Sequence, residues 1–383
     1  MRTIKKIGIT TYWTTPVNYG QVLQGYALQS ILREKGFEPF IVRYTMGEEA
    51  CNKSFFSRCI DFIKNGMNFR KFIKRFYYKT ERDVDRRFED FKCEYMSYSE
   101  NSYPSFASLI DEYPQADIYI TGSDQVWGKY GSVNKKKIFL LEFLPPHIPR
   151  IAYAASFGRK MLENDEKRLF QYALKKFKSI SVREQFGIDI CTGLKIDNVK
   201  WVVDPTVLLS KEDWIKKLKL KKEERVQTKT ALVYLMQGEY ATSIGHKVIK
   251  LLKHEGYEVR YVSSAYYIDK HSNYDPTLEQ WLSAILSVDL MVTSSFHGTL
   301  FALIFNTAFI ALGNKSGIEE EQNSRLFSLL NEVGLSERMI NTFNRDKICN
   351  LITSEINWKK VNRTFFYRRK ESLDFLFKAL EVI

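Results

Sequence analysis

Residues 6–44 read KIGITTYWTTPVNYGQVLQGYALQSILREKGFEPFIVRY, and this stretch decides the fold. The apolar run KIGITTY predicts a strand, and the apolar spacing of GYALQSILREKG, residues 25–36, predicts a helix. A second apolar run, FEPFIVRY, predicts another strand that starts at Phe37. Strand, helix and strand in this order form a βαβ unit, in which the two strands lie parallel.

The same order recurs in the second half of the chain. TALVYLM (230–236) predicts a strand, IGHKVIKLLKHEG (244–256) a helix and YEVRYVSS (257–264) a second strand. Further apolar runs predict strands at DIYITG (117–122), RIAYAA (150–155), SISV (179–182), KWVV (200–203), LMVTS (290–294) and AFIALG (308–313). The pattern predicts an α/β protein with two Rossmann-like domains, each built on a parallel sheet.

The length of 383 residues also favours two domains, since one domain usually takes roughly 100 to 200. We expect an N-terminal domain over 1–205, a lysine-rich linker over 206–228, a C-terminal domain over 229–355 and a helix over 356–383 that packs back on the body. Two doubly wound sheets that face each other across a cleft bind ligands beyond the carboxyl ends of their strands. Functional motifs are therefore expected directly after strands.

Composition limits the classes of partner and the cellular compartment that we expect for this protein. Lys and Arg number 58 against 45 Asp and Glu, a net charge of +13, so the partner or substrate is expected to be anionic. The five cysteines are odd in number and never form C-x-x-C, which indicates neither a disulfide framework nor a zinc site. The N-terminus lacks the apolar core of a signal peptide, so we expect a soluble cytoplasmic protein.

The first motif, NYGQVLQGYAL (18–28), follows the first strand. Its glycines do not form G-x-G-x-x-G or a P-loop, so a nucleotide cradle is not indicated. Gly20, next to Asn18, could let backbone N–H groups approach an anion or a sugar. A plain turn before a helix is the alternative.

The second motif is ITGSDQVW (120–127), directly after the strand DIYI. Ser123, Asp124 and Gln125 offer a hydroxyl, a carboxylate and an amide for a substrate. Trp127 is expected to be an apolar platform on which a sugar stacks. An Asp helix cap with ordinary turn residues is the alternative.

Two further motifs supply a cation and a titratable ring. Arg183 follows the strand SISV and could grip a phosphate or carboxylate with its planar fork, although a surface pair with Glu184 is the alternative. In MVTSSFHGTLFA (291–302), His297 and Gly298 open a helix after Ser295. A His there can exchange protons near neutral pH, and neighbouring N–H groups can hold an anion.

Other polar residues complete the survey. Lys315 and Arg325 could add cations to the same pocket, or could be structural. The remaining four histidines have no metal-ligand spacing, so no metal is assigned. Asp83-Val-Asp85 resembles a metal-binding D-x-D, but residues two apart diverge on a helix.

The segment 53–79 carries eight Lys/Arg against one acid, interleaved with eight aromatic residues, within a predicted basic, aromatic-rich insertion over 53–92. This mixture is typical of a helix that lies on an anionic membrane surface. Single-stranded nucleic acid could also bind such a stretch, but no nucleic-acid motif accompanies it, so we expect no nucleic-acid partner. A solvated amphipathic helix is the remaining alternative.

Taken together, the motifs resemble those of the polysaccharide pyruvyl transferase family. They are NYGQVLQGYALQ, TGSDQVW, YAASFG (153–158), SVRE, DPTVLL (204–209) and SSFHGTLFALIF, in this order between about residues 8 and 330. The resemblance implies a fold like that of GT-B glycosyltransferases. It also implies phosphoenolpyruvate as donor and a sugar hydroxyl pair of a surface polysaccharide or its lipid-linked precursor as acceptor, joined as a pyruvate ketal. We expect the acceptor on the N-terminal domain and the donor on the C-terminal domain.

The resemblance implies that His297 is catalytic and that Arg183 binds the donor. The chain departs from the family pattern at Gln21, where better-studied branches carry Asp, and at Ser295, where they carry Arg. Since phosphoenolpyruvate carries close to three negative charges, the missing cation must be supplied by Arg183, Lys315, Arg325 or helix N-termini.

In this scheme His297 is the candidate acid, and Asp124 is a candidate for orienting or deprotonating the acceptor hydroxyl. No metal, nucleotide or other cofactor is required. Two other functions stay open: a GT-B-type glycosyltransferase that uses a nucleotide sugar, and a non-catalytic, membrane-associated protein whose active surface is 53–79.

Overall fold

The structure is a computed structural model, which describes residues 5–15, 17–45, 85–129, 131–224, 227–236, 239–264, 269, 271–313 and 318–381. The N-terminal domain contains the strands β1 (Lys6–Thr10), β2 (Glu38–Tyr44), β3 (Tyr98–Tyr103), β4 (Ile118–Thr121), β5 (Arg150–Ala155), β6 (Ser179–Val182) and β7 (Lys200–Trp201). They form one parallel sheet in the order β3-β2-β1-β4-β5-β6-β7.

Helices connect these parallel strands, as right-handed crossovers require. They are α1 (Tyr19–Glu34), α2 (Phe88–Tyr95), α3 (Phe106–Asp111), α4 (Val133–Phe139), α5 (Asn164–Leu174) and α6 (Phe186–Gly193), with α7 (Pro205–Leu208) and α8 (Lys211–Leu218) after the last strand. Strand β3 was not expected, because its sequence YSENSY is polar. It lies at the edge of the sheet, where one side faces no strand and polar side chains are tolerated.

The C-terminal domain contains β8 (Thr230–Met236), β9 (Glu258–Ser264), β10 (Leu290–Thr293), β11 (Phe309–Leu312) and β12 (Met339–Ile340). These strands form a second parallel sheet in the order β12-β11-β10-β8-β9. The helices here are α9 (Glu239–His254), α10 (Leu278–Ser287), α11 (Phe296–Phe305), α12 (Ile318–Val333), α13 (Arg345–Thr353) and α14 (Trp358–Glu381), with a 3₁₀ turn at Ser336–Arg338. The predicted α/β fold with two Rossmann-like domains is confirmed.

The two domains meet through an apolar interface. One buried cluster contains side chains from both domains, including Tyr19 of α1 and Trp281 of α10. Their rings stack with centroids 4.7 Å apart, and the Tyr19 hydroxyl donates to the Pro276 carbonyl oxygen at 2.6 Å. Residues that follow strands of the N-terminal sheet also contact the first turn of α11, since the Arg183 guanidinium lies 4.5 Å from the Phe296 ring.

The C-terminal helix α14 contacts the loop that follows β7. The Ser372 hydroxyl accepts a hydrogen bond from the Val203 N–H at 3.0 Å. The Arg369 guanidinium donates to the Val207 carbonyl oxygen at 2.7 Å. The last helix of the chain thus holds the segment between β7 and α8, which belongs to the N-terminal half of the sequence.

Helix α1 begins earlier than expected. It starts at Tyr19, and the side-chain oxygen of Asn18 caps it by accepting from the Gln21 N–H at 3.2 Å. Gly20 and Gly25 therefore lie inside the helix and not in a loop before it.

Two sequence predictions lie outside the described residues: the basic segment 53–79 and Lys315. Within the described ranges, no helix is long and apolar enough to cross a membrane. The same part of the chain contains no group of three or more His, Cys, Asp or Glu side chains suited to a metal ion.

Candidate active site

The strongest predicted residue, His297, lies in the first turn of α11. The Ser295 hydroxyl caps this helix by accepting from the Gly298 N–H at 3.2 Å, and the Ser295 N–H donates to the Thr293 hydroxyl at 3.0 Å. This turn aims the His297 ring at the N-terminal domain, and only 8% of the side chain is exposed. Ser295 and the Gly298 N–H are thus hydrogen-bonded to each other in this turn, whereas the sequence predicted that they bind a ligand.

Gly20 makes room for this histidine across the domain interface. A Cβ at Gly20 would overlap the imidazole of His297. The sequence predicted close approach at this glycine, but by an anion or a sugar. The group that approaches is a protein side chain, because α1 packs against the start of α11.

Asp204 is the partner of His297. It follows β7 and caps α7, since its Oδ1 accepts from the N–H and the hydroxyl of Thr206 at 3.0 and 2.8 Å. Its Oδ2 lies 3.4 Å from His297 Nε2, and that nitrogen is buried and makes no hydrogen bond within the described part. Ser123, at the end of β4, donates to the same Oδ2 at 2.9 Å.

Arg183 completes this buried group. Its Nη1 donates to Asp204 Oδ2 at 3.0 Å, and its Nε donates to Glu184 Oε1 at 3.1 Å. The side chain is 1% exposed, and Nη2 alone among its nitrogens has no hydrogen-bond partner in the described part of the chain. The expectation of a free planar fork is wrong, because two carboxylates already occupy it. The alternative of a surface pair with Glu184 is also wrong, since both residues are buried.

A second arginine, which is partly buried, reaches the same place from the C-terminal domain. Arg325 of α12 donates from both terminal nitrogens to the Gln125 side-chain oxygen at 2.9 Å, with the amide oriented so that its oxygen faces the guanidinium. The ring of Phe296 lies between the two arginines, 4.5 Å from the Arg183 guanidinium carbon and 5.8 Å from that of Arg325. Arg325 Nε is buried without a hydrogen-bond partner among the described residues.

The charges perturb one another strongly. Burial raises the pKa of Asp204, but His297 and Arg183 outweigh burial and hold the pKa of this carboxyl well below its usual range. Burial lowers the pKa of Arg183, and Glu184 and Asp204 reverse this and leave it raised. Burial and the nearby Arg183 together lower the pKa of Arg325 to about 10. Asp204 is therefore a carboxylate and both arginines are cations near neutral pH.

A small cavity lies against this cluster. Arg183, Glu184, Asp204, Phe296 and Arg325 line it, and its volume is about 30 Å³. That is room for one or two water molecules. Ligand pockets usually have several hundred Å³, so this cavity is too small for a ligand of the size of a sugar.

Some residues of the motif TGSDQVW lie at the candidate site, and others lie in the core. Asp124 has a positive φ of 76°, and its charge favours the protonated forms of Arg183 and Arg325, which places its carboxylate near both. Trp127, in contrast, is completely buried, and its indole N–H donates to the Phe139 carbonyl oxygen at 3.2 Å. The expectation that Trp127 offers a sugar platform is wrong, because its ring packs against Phe157 in the core.

Sequence reasoning missed three residues of this cluster: Asp204, Glu184 and Phe296. Asp204 and Glu184 belong to motifs that were identified, DPTVLL and SVRE, but they were not assigned a role. The sequence did contain a signal, which was position. Asp204 directly follows the predicted strand KWVV, and Glu184 directly follows Arg183. Nothing in the sequence marked Phe296 as part of a site, because an aromatic residue at the start of an apolar helix usually belongs to the hydrophobic core.

Comparison with known proteins gives the family and the fold. The family model for polysaccharide pyruvyl transferase matches residues 18–316. A comparison with curated proteins found no significant match. Among solved structures, MnaA of S. aureus with UDP is similar with a TM-score of 0.53 and 12% identity, over 99% of this chain and 98% of that chain. The UDP-GlcNAc 2-epimerase from Neisseria meningitidis bound to UDP-GlcNAc has a TM-score of 0.52 and 10% identity, over 98% and 100%.

At these identities the solved structures show the fold alone, which is GT-B-like. The family match is of a different kind, because it covers most of the chain and includes the segments that carry Ser123, Arg183, Asp204 and His297. The chain therefore belongs to the polysaccharide pyruvyl transferase family.

Proposed function

We propose that this protein transfers the enolpyruvyl-derived group of phosphoenolpyruvate to a hydroxyl pair of a surface saccharide or its lipid-linked precursor, with formation of a pyruvate ketal. One observation carries the proposal. The buried Arg183 and the partly buried Arg325, which come from different domains, converge beside the His297–Asp204 pair, and each has a buried nitrogen without a hydrogen-bond partner among the described residues. Buried N–H groups of this kind favour an anionic ligand.

The charges that line the cavity cancel one another, so the proposal assigns the additional positive charge to His297. Arg183 and Arg325 are matched by Glu184 and Asp204, so the cavity by itself has no excess of positive charge. Protonated His297 would add one positive charge beside the donor. We infer that the donor's anionic groups bind to Arg325 and to the remaining Nη2 of Arg183, with His297 as the third cation.

The reaction then needs one acid and one base. Protonation of the methylene carbon of phosphoenolpyruvate gives an oxocarbenium-like centre, which a sugar hydroxyl attacks as it loses its own proton. Phosphate leaves, and the second hydroxyl closes the ketal with loss of its proton. In this scheme His297 supplies the proton and Asp204 orients the imidazole and stabilises its charged form.

Asp124 is the proposed residue on the acceptor side. Its carboxylate lies near the two arginines but is partly exposed, so an acceptor hydroxyl can reach it. Because the cavity holds only one or two water molecules, the proposal requires that it widens before the donor binds.

Calorimetric titration tests the donor. Wild-type protein is expected to bind phosphoenolpyruvate and to bind UDP, UTP and GDP much more weakly. Arg325→Met should weaken phosphoenolpyruvate binding by about tenfold or more, since a charge-assisted hydrogen bond contributes about 1.5–3 kcal/mol. Tight binding of a nucleotide without binding of phosphoenolpyruvate would instead identify a nucleotide-sugar enzyme.

We also propose peripheral contact with anionic membranes, on the basis of the sequence of 53–79 alone. Each basic residue near such a surface adds about 1 kcal/mol of attraction. Replacement of Arg70, Lys71, Lys74 and Arg75 by Glu should reduce sedimentation with anionic liposomes and slow turnover of a lipid-linked acceptor, with a short soluble acceptor unaffected. Unchanged sedimentation would contradict the membrane contact.

A further inference from the structure

A groove of about 530 Å³ lies on the N-terminal domain. The loop that follows β5 forms one wall, and the helices α5 and α6 contribute the rest. It is more than ten times larger than the cavity at the domain interface. A volume in this range is typical of sites for ligands of the size of one or two sugar rings.

The floor of the groove contains a buried cation. The Arg159 side chain is 3% exposed, and its Nη1 lies 2.7 Å from Glu166 Oε2. Its Nε and Nη2 are buried and make no hydrogen bond within the described residues. Burial raises the pKa of Glu166, but Arg159 and Lys136 reverse this and lower it to about 2, so the carboxylate holds Arg159 in place at neutral pH.

The rim adds exposed charges, most of them positive. Lys160 and Lys167 are exposed, and Lys129 pairs with Glu163 at 3.0 Å. Together with Arg159 the lining has four cations against two acids, Glu163 and Asp189. The exposed Met161 adds an apolar contact, with 77% of its surface accessible.

The loop Ser156–Arg159 connects this groove to the candidate active site. The Ser156 hydroxyl donates to Glu184, the partner of Arg183, at 2.6 Å. Gly158 has a φ of +61° and lies against the side chain of Gln125, which binds Arg325. Since three residues span at most about 10 Å, Arg159 lies no farther than that from Ser156, which hydrogen-bonds the partner of Arg183.

We propose that this groove binds an anionic group, a carboxylate or a phosphate, that the acceptor carries at a distance from its reacting hydroxyl pair. The inference rests on the proposed function in one respect, that the ligand is the acceptor of pyruvyl transfer. Lys160 and Lys167 contact the anion at the rim, and the buried Arg159 adds positive potential beneath it.

Two pairs of small ligands test the groove. Cellobiose and cellobiouronic acid differ in a carboxylate, and glucose and glucose 1-phosphate differ in a phosphate, so the two arms separate an acidic sugar from a carrier phosphate. NMR titration of wild-type protein should give about tenfold tighter binding for the charged member of at least one pair, which corresponds to one charge-assisted hydrogen bond.

Variants then locate the site. Lys160→Glu combined with Lys167→Glu changes only exposed side chains and should abolish the preference for the charged ligand. Arg159→Gln should reduce the preference, because it removes a positive charge beneath the groove. Lys175→Gln, an exposed lysine outside the groove, should leave the preference unchanged.

Equal binding of charged and neutral ligands to the wild type, or a preference that survives in the groove variants, would overturn the proposal. Phosphoenolpyruvate titration of the same proteins keeps the two proposals separate. Its affinity should be unchanged in the groove variants, and a parallel loss would make the groove part of the donor site and overturn the inference. If the wild type binds no phosphoenolpyruvate, the proposed function fails and the groove result stands.

Discussion

Arg338 and Arg183 are buried and Arg325 is partly buried, but the surroundings of Arg338 differ from those of the pair Arg183–Arg325. Arg338 lies inside the C-terminal domain and donates to the carbonyl oxygens of Phe309 at 3.0 Å, Leu351 at 3.2 Å and Ser354 at 2.7 Å. Neutral backbone acceptors satisfy it. Arg183 instead pairs with two carboxylates, Arg325 binds one amide, and each keeps a buried N–H without a partner in the described residues.

The difference predicts a structural role for Arg338 and a functional role for the interface pair. A buried donor without a partner costs about 1–3 kcal/mol, and among the described residues Arg338 has no such donor. The interface arginines retain unused donors next to a titratable ring. Substitutions should therefore affect activity at the interface and stability alone at Arg338.

The largest effect is expected at His297. His297→Ala should reduce turnover by about 10² to 10⁴-fold, the usual contribution of a general acid, with the fold intact. His254→Ala is the control, since that side chain is 70% exposed and distant from the arginines. Turnover above a third of the wild-type value would remove His297 from the mechanism.

Asp204→Asn should destabilise the protein by about 3–5 kcal/mol near pH 7, because Arg183 loses a buried carboxylate. The pKa of Asp204 is lowered by folding, so its contribution is complete above the ordinary value of about 4 and is lost as the pH falls below it. Urea unfolding at pH 6 and pH 2.5 measures this. A difference between wild type and variant that does not shrink at the lower pH would contradict the ion pair.

Arg325→Met and Arg338→Met test the contrast directly. The first should weaken phosphoenolpyruvate binding by about 10- to 100-fold, and the second should leave binding unchanged while lowering the free energy of unfolding by about 1–3 kcal/mol. Calorimetry measures the donor affinity of each variant, and urea unfolding measures the free energy of unfolding of each. Equal loss of donor affinity in the two would end the distinction between them.

Gly20→Ala should have the smallest effect. Its Cβ would displace the His297 ring, and overpacking of this kind costs about 1–3 kcal/mol. Turnover should fall as the ring moves from Asp204. Gly25→Ala in the same helix is the control, because a Cβ there meets only the ends of the Ile41 and Met96 side chains, at 3.2 Å. A Gly20→Ala protein with wild-type turnover would show that the contact between α1 and His297 does not position the ring.

Much of the fold could be predicted, since buried parallel strands are short apolar runs with little ambiguity. RIAYAA, SISV and TALVYLM form strands with the predicted bounds. Edge strands were harder. Strand β3 is polar and β12 has two residues, so neither has the hydrophobic pattern that identifies a buried strand.

The site was predicted in part. His297, Ser123, Gln125, Arg183 and Arg325 do come together, because parallel strands bring the loops after their carboxyl ends to one edge. Trp127 belongs to the same loop as Ser123 but points into the core. Sequence position near a strand end does not specify on which side of the sheet a side chain lies, and a loop has no fixed period from which to infer it.

The sequence by itself determined the two parallel sheets, the family and the loops that carry the polar groups, because each depends on local pattern and on motif order. Only the tertiary structure decided which of these residues contact one another. Asp204 meets His297 across 93 positions of the chain, and Gly20 meets the same ring across the domain interface. Such contacts depend on how two separately folded surfaces fit together, and that fit is set by packing and charge between distant segments and not by spacing along the chain.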